Sequence, residues 1–480
     1  MDYSTLAMDA ALKLGAEYAD IRIQRSRSEV IFIRNLSVKA LNEGDLYGYG
    51  IRVFKSGAWG FAHCNIFTPE AVLDTVRKAV QIAKNSAKIN RNAKLSLATE
   101  RSYKDSFETP CKIDPFQISV KEKVDYFLEV SNTLLRYEPI KVVRCYVVTE
   151  SNDKIFTSTL GTHLTLKNTH ITPYYGATAV TESDSQSRSY NPGGRSAGWE
   201  YIHELDLLGN APRVAEEAIM KAHAADLGEE KRRDLILDHA NLALTMHESV
   251  GHPTELDRVL GWEADYAGIS FATPEKLGNY QYGSPIVNFL GDNLLENGLA
   301  TLGYDDDGVP GQKWYIVKDG ILNEYGSTRD TIGIIGGKMS RGCNRATYYY
   351  DFPINRIPNL YLEAGKKELS PSQLIEDTED GVFIEGQGSF SIDQHRVNFQ
   401  FGGDMFWEIK NGKKTKMLKK VLYKSNNPEF WNSCDAICDQ RFWKAWGVNN
   451  CGKGQPSQTG RMTHGAAPAR FRKIRVGGSQ

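Results

Sequence analysis

The sequence predicts an α+β protein in two parts: an N-terminal α/β unit of mixed strands and helices over residues 1–229, and a C-terminal β-rich unit over residues 230–480 that carries one site-bearing helix. Three observations predict it. A chain of 480 residues exceeds the size at which a single core stops growing. Its 43 glycines and 23 tyrosines favour strands and turns over a helical bundle. The charged stretch Gly228-Glu229-Glu230-Lys231-Arg232-Arg233 separates a region where helix and strand patterns alternate from one dominated by short strands. Hydrophobic and charged contents of 41% and 24% are ordinary for a globular protein. A net charge of -1 offers no electrostatic footprint for nucleic acid or a membrane surface.

Residues 3–15 place Leu6, Ala7, Ala10, Leu12 and Leu14 at helical spacing and stop at Gly15. From Tyr18 to about residue 63 the period is two, as in Ala19-Asp20-Ile21-Arg22-Ile23-Gln24 and Val30-Ile31-Phe32-Ile33-Arg34, with turns expected at 42–45 and 55–57. Residues 69–86 and 118–136 read as amphipathic helices. Residues 140–180 return to β character, with 142–148 as the expected buried strand. Residues 183–199 are polar and glycine-bearing, a predicted loop, and 211–226 form the last helix before the boundary. The second part opens with a short strand at 234–238 and a helix from Ala240 to Val250. Turn-punctuated strands follow, among them 312–317 closed by Asp319-Gly320, then 380–390, 395–402 and 418–424. No apolar run reaches membrane-spanning length. The first residues lack the basic and apolar regions of a secretory signal. Seven cysteines without tight spacing read as reduced thiols, so a cytoplasmic protein is expected.

The chemistry concentrates in His247-Glu248-Ser249-Val250-Gly251-His252. Two neutral imidazoles are good zinc ligands, a catalytic zinc takes about three protein ligands plus water, and a neighbouring glutamate can take the proton of that water. The spacing is one residue longer than H-E-x-x-H. On a regular helix i and i+5 lie about 140° apart around the axis, against about 40° for i and i+4. His247 and His252 can therefore share a metal only if the helix widens into a π-bulge, or if it ends near Gly251 in a left-handed cap with Pro253 beyond.

For a third ligand the sequence offers several residues. Glu255 and Asp257 are close, although acids after a helix end are usually solvated. Cys434 and Cys438 read better as two core thiols. Cys451 lies in the glycine-rich stretch 449–455, where a thiolate can approach a metal. His464 and His395 have no spacing partner. Gly336-Gly337-Lys338-Met339 lacks the distal glycine and the Ser or Thr of a phosphate loop. Asp305-Asp306-Asp307-Gly308 lacks alternating cation-loop spacing and reads as a solvated turn. Arg470-Phe471-Arg472-Lys473-Ile474-Arg475-Val476 reads as a solvated terminal strand, and the Trp-rich stretch 430–446 as aromatic packing rather than a substrate wall.

Several stretches taken together resemble the TldD/PmbA family of metallopeptidases. They are His247–His252, Asp306-Asp307-Gly308-Val-Pro-Gly-Gln312, Asp319-Gly320-Ile-Leu, Arg341-Gly-Cys-Asn-Arg345-Ala-Thr-Tyr, Pro358-Asn-Leu-Tyr, Cys451-Gly-Lys-Gly-Gln455 and Arg475-Val-Gly-Gly478. The resemblance covers roughly 230–480; the first part matches only in its layout of a helix followed by strands. It implies a zinc peptidase with His247, His252 and Cys451 as ligands of one zinc or other divalent ion per chain, and Glu248 as general base. It places the chain in the TldD-type, metal-bearing branch. It further implies a homodimer, or a heterodimer with a PmbA-type paralogue, enclosing a cavity for short or unfolded peptides, with no nucleic acid or membrane partner. The family's older label concerns modulation of DNA gyrase. Met246 stands where the family pattern has phenylalanine. Two readings compete with the peptidase: a non-hydrolytic subunit that binds a peptide or protein client, and a hydrolase of a non-peptide amide or ester.

Overall fold

The computed structural model describes residues 2–89 and 95–478. The first half holds α1 (Tyr3–Lys13), β1 (Tyr18–Arg34), β2 (Ser37–Lys55), β3 (Ala58–Cys64), α2 (Pro69–Ile89), β4 (Lys104–Glu108), α3 (Val120–Leu135), β5 (Ile140–Ser158), β6 (His163–Val180), β7 (Ser185–Tyr190), α4 (Glu200–Glu204) and α5 (Leu207–Ala222). Its strands make a seven-stranded sheet in the order β3-β2-β1-β5-β6-β4, with β7 on β6. The expected loop at 183–199 thus contains a short strand, because its alternating Ser-Gln-Ser-Arg-Ser-Tyr can extend the free edge of β6.

Alternation along β1 sends odd-numbered residues to one face. Ala19 and Ile21 pack with α1 and α2, while Ile31 and Ile33 pack with α3 and α5. Fully burying such a side chain contributes roughly 1.5–3 kcal/mol. Helix α2 presents Val72, Val76, Ala79, Val80 and Ala83 to this sheet. It comes so close at Gly60 that a Cβ there would lie 2.0 Å from the Ala79 carbonyl oxygen. Helix α3 starts where the Ser119 side chain accepts from the Glu122 N–H.

In the first half of β1 the even-numbered face is polar and equally buried: Asp20 and Arg22 are 0% exposed and Gln24 2%. It packs on the second half. Arg22 donates to the Asp351 carbonyl at 2.6 Å, and Gln24 to that of Thr347 at 3.0 Å. Arg52 bridges Asp20 at 2.7 Å and Asp307 at 2.9 Å. The turn Asp305–Asp307, expected to be solvated, is buried because this face supplies its counter-charges. Asp306 pairs with Lys154 and Arg22. The Asp305 carboxylate accepts from the main-chain N–H groups of Asp307, Val309 and Asn344. Burial and the Asp307 charge push Asp305 well above the ordinary carboxylate range.

The second half adds β8 (Ala225–Asp226), β9 (Lys231–Leu237) and α6 (His239–Met246), then mostly strands in a ten-stranded mixed sheet and a six-stranded sheet. Strand β9 runs parallel to Asp380–Glu385 and antiparallel to Ala469–Gly478. The closing strand is therefore internal rather than solvated. Its Arg470 is shared by Asp377 and Asp435, both at 2.9 Å, which permits burial of the charge. One large apolar cluster fills this half and takes in Trp431, Cys434 and Cys438. No helix among the described residues is long and apolar enough to cross a membrane.

Candidate metal centre

Helix α6 is capped by Asp238, whose side chain accepts from the Asn241 N–H, and it enters the core with Leu242, Met246 and Val250. At the motif the winding changes. Residues His247–Gly251 form a π-turn closed by the His252 N–H on the His247 carbonyl, followed by a 3₁₀ turn over His252–Thr254 with Pro253 inside. The π-turn brings the two imidazoles together: their ring centroids are 4.7 Å apart with planes at 77°. Of the two routes foreseen from the spacing the bulge is the one taken, and the winding tightens directly after it without a left-handed cap. Gly251 is right-handed, with φ of -57°, so it serves by its size rather than as a left-handed cap. A Cβ there would lie 2.9 Å from Ile357 Cδ1.

Ligand-type atoms of His247, His252 and Cys451 all lie within 4.8 Å of one another, and all three residues are buried. The hydrogen bonds assign the tautomers. His464 Nδ1 can only donate to the Leu360 carbonyl (3.2 Å), so its Nε2 accepts from His247 Nδ1–H at 2.8 Å. This leaves the His247 Nε2 lone pair free. His252 Nδ1–H donates to Glu255 Oε2 at 2.8 Å, freeing its Nε2, which faces Cys451 Sγ at 3.5 Å. Burial holds both imidazoles below their usual pKa and hence neutral. Burial opposes ionisation of Cys451, but His252 and the Arg356 charge outweigh it and hold the thiol below its ordinary value. Two neutral imidazoles and an acidified thiol are a donor set that suits zinc.

Cys451 reaches the site on the strand Lys444–Lys453, which pairs antiparallel with Gln458–Ala466. His464 comes from that second strand, which pairs parallel with Leu360–Leu362. Behind His252 lies a closed charge network. Lys453 Nζ meets Glu255 Oε1 at 3.1 Å and Asp257 Oδ1 at 2.7 Å. Burial would raise Glu255, but Lys453, His252 and Arg258 hold it well below the ordinary range. A carboxylate that accepts from an imidazole N–H in this way fixes the ring's orientation and tautomer.

Glu248 is buried beside His247, and its Oε2 is held by Arg396 Nη1. Arg396 stands on a tight turn with φ of 62°. The turn is anchored where the Ile269 and Phe271 N–H groups donate to the Gln394 and His395 carbonyls.

The structure therefore brings His247, His252 and Cys451 to one place, with Glu248 next to His247 in the π-turn and its charge acting on that ring. Glu255 and Asp257 are neither solvated nor in the cluster; they brace it. Cys434 and Cys438 lie in the apolar core, where burial raises both thiols. His395 is exposed on the turn that presents Arg396. Sequence reasoning gave no role to Arg396 or Lys453 and left His464 unassigned. Only strand register and a distant turn join them to the motif, and neither has a local signature.

A family model described as the PmbA/TldA metallopeptidase C-terminal domain matches residues 230–478, its domain 1 model matches 19–83 and its central domain model 113–225. A metalloprotease of Methanocaldococcus jannaschii is 28% identical over 86% of this chain and 87% of its own length. A protein of Saccharolobus solfataricus named zinc metalloprotease TldD homolog is 21% identical over 98% of both chains. Among solved structures, a Thermotoga maritima protein named for modulation of DNA gyrase superimposes with a TM-score of 0.78 at 18% identity over 99% of each chain. TldE from Thermococcus kodakarensis does so with a TM-score of 0.76 at 15% identity, over 98% of this chain and 99% of its own. These structural likenesses extend over both halves and establish the α+β fold.

Proposed function

This chain belongs to the PmbA/TldD metallopeptidase family, and from that premise we propose that it is a zinc-dependent peptidase acting on short or unfolded peptides. The observation that carries the reading is the convergence of His247, His252 and Cys451, free lone pairs facing one another, with the charge of Glu248 acting on His247. These residues fit a zinc ion, which when bound supplies a Lewis acid that polarises a carbonyl and acidifies water. Glu248 takes the proton of the attacking water on its carboxylate and returns it to the leaving amine. Arg396 fixes one carboxylate oxygen and leaves the other to move the proton. His464 and Glu255 keep the imidazole tautomers, and the buried surroundings exclude bulk water.

The division of labour follows the chain: residues 1–229 for dimerisation and the substrate cavity, 230–480 for the chemistry. Separate family models for 113–225 and 230–478 support the boundary. A dimer, with a second copy or with a PmbA-type paralogue, is supported by the apolar side chains Leu36, Val38 and Leu41 exposed towards the β1–β2 hairpin end. Seven free thiols are consistent with a cytoplasmic setting. A second reading, a peptide-binding subunit without hydrolysis, draws on the Arg396 contact that already engages Glu248.

Metal analysis by plasma mass spectrometry, with peptide turnover on the same preparations, tests this. Wild type should hold about one zinc per chain and Cys451→Ser should lose most of it. Glu248→Gln should keep the zinc and lose roughly 10²–10⁴ in kcat. Zinc retained without Cys451 sinks the ligand set. Unchanged turnover in Glu248→Gln sinks the base, and bound peptide with no turnover in wild type leaves the binding subunit standing.

A further inference from the structure

The polar face of the first sheet and the second half enclose a cavity of about 80 Å³, several times the roughly 10–15 Å³ that one water needs. Four cations line it, Lys154, Arg345, Arg356 and Arg461, against a single carboxylate, Asp306. Lys154 is spent on Asp306, and Arg461 on Glu150 just outside. Arg345 and Arg356 have no carboxylate partner among the described residues. Their donors end on main-chain carbonyls, those of Arg461 and Ile357 for Arg345 and those of Gln458 and Cys451 for Arg356. Burial and the neighbouring Arg356 charge push Arg345 down to about 10. Two neighbouring guanidiniums, Arg356 buried and Arg345 half-buried, neither ion-paired among the described residues, are an unbalanced arrangement.

The remaining polar groups are also incomplete. Gln24 Oε1, Asn168 Oδ1, Gln458 Oε1 and Arg356 Nε are buried without a hydrogen-bond partner, and all four residues line the cavity. Unsatisfied buried groups are uncommon and call for a reason. Here three acceptors and two guanidiniums surround one space.

Its position relative to the metal centre follows from strand register. The Arg356 guanidinium lies over Gly460, where a Cβ would sit 2.3 Å from Nη2. Gly460 is directly opposite Cys451. Paired residues of an antiparallel ladder share a face with Cβ positions about 4.5–5.5 Å apart, the reach of one to two residues of extended chain at about 3.3–3.6 Å each.

We propose that this cavity binds a carboxylate of the peptide substrate one to two residues from the bond that is cut. Arg345 and Arg356 take the carboxylate, and the oxygens of Gln24, Asn168 and Gln458 take N–H groups of the adjoining main chain. The proposal rests on the peptidase reading and adds to it a substrate class: peptides with a free C-terminus, or an acidic side chain, close to the scissile bond.

The test uses full-length Glu248→Gln protein and titration calorimetry with two peptide pairs. N-acetyl-trialanine as free acid is compared with its C-terminal amide, and N-acetyl-Ala-Glu-Ala amide with its Gln counterpart. The carboxylate-bearing member of one pair should bind at least about tenfold tighter, as expected for charge-assisted hydrogen bonds. Which pair discriminates tells the terminus from the side chain. Equal affinity within both pairs, or no binding of any peptide, overturns the proposal. Arg345→Gln should abolish the preference. Should that variant fail to fold, Asn168→Ala, from the opposite wall, should weaken the favoured peptide severalfold. Zinc content and turnover of wild type separate the two readings. A zinc-bearing, peptide-cleaving chain without carboxylate preference loses only the cavity assignment. A chain that discriminates carboxylates but cleaves nothing loses only the peptidase.

Discussion

Two buried polar clusters of this protein have opposite accounting. In the clasp between the halves, charges of each sign meet: Arg52 lies between Asp20 and Asp307, and Asp306 lies between Lys154 and Arg22. In the metal centre the inward-facing groups are two imidazole nitrogens and a thiol, all electron-pair donors, and the compensating charges of Lys453 and Glu255 lie behind them. Burial alone therefore does not mark a functional site, since both clusters are almost wholly buried. What distinguishes them is the kind of group that faces inward: paired opposite charges in the clasp, electron-pair donors in the centre.

Removing one partner should break the clasp without touching the centre. Asp306→Asn leaves Lys154 and Arg22 without their carboxylate, and a loss of about 3–5 kcal/mol is expected for a broken buried pair. Denaturant titration measures it; zinc per chain should not change. A smaller effect comes from Glu150 on the same interface. Burial would raise Glu150, but His170 and Arg461 bring it down to about 2 from an ordinary 4.5. Because the folded value is the lower one, its contribution is present above about pH 4.5 and is lost as the pH falls towards 2. A depression of that size corresponds to roughly 3 kcal/mol. Melting temperatures between pH 5 and pH 3 should fall less steeply for Glu150→Gln than for wild type. The smallest effect belongs behind the centre. His464→Ala frees the His247 ring and should weaken zinc binding about 10–100-fold. His464→Gln, which can still accept from Nδ1–H, should recover part of it. Competition with a chromogenic chelator reads both, and identical affinities would remove His464 from the support of the site.

The β character of residues 18–64 was legible from its period of two, and α2 and α3 from theirs of 3.6, because alternation and helical spacing are local consequences of burying one face. The turn expected at 42–45 instead lies inside β2, paired with β1, and the chain reverses at 35–36. What the polar face of β1 does was not legible. Asp20, Arg22 and Gln24 have the pattern of a solvated face, and only the arrival of residues 305–307 and 345–351 buries them. The same holds for Asp305–Asp307 and for the strand 469–478, both expected in solvent and both internal. Hydrophobicity reports the cost of burying a residue alone, not the counter-charge that tertiary contacts bring to it.

The sequence by itself determined the α+β class and the metallopeptidase motifs, and set His247, Glu248 and His252 in one short stretch whose residue types state their chemistry. It left several residues open as a third ligand, and only the family resemblance singled out Cys451. The tertiary structure decided the rest. It set the π-turn that makes i and i+5 neighbours, where the local sequence allowed two geometries and Gly251 lies close against Ile357. It joined His464, Lys453 and Arg396 to the site across up to about two hundred residues of chain, a consequence of strand register and of the turn at Arg396, which no local pattern encodes.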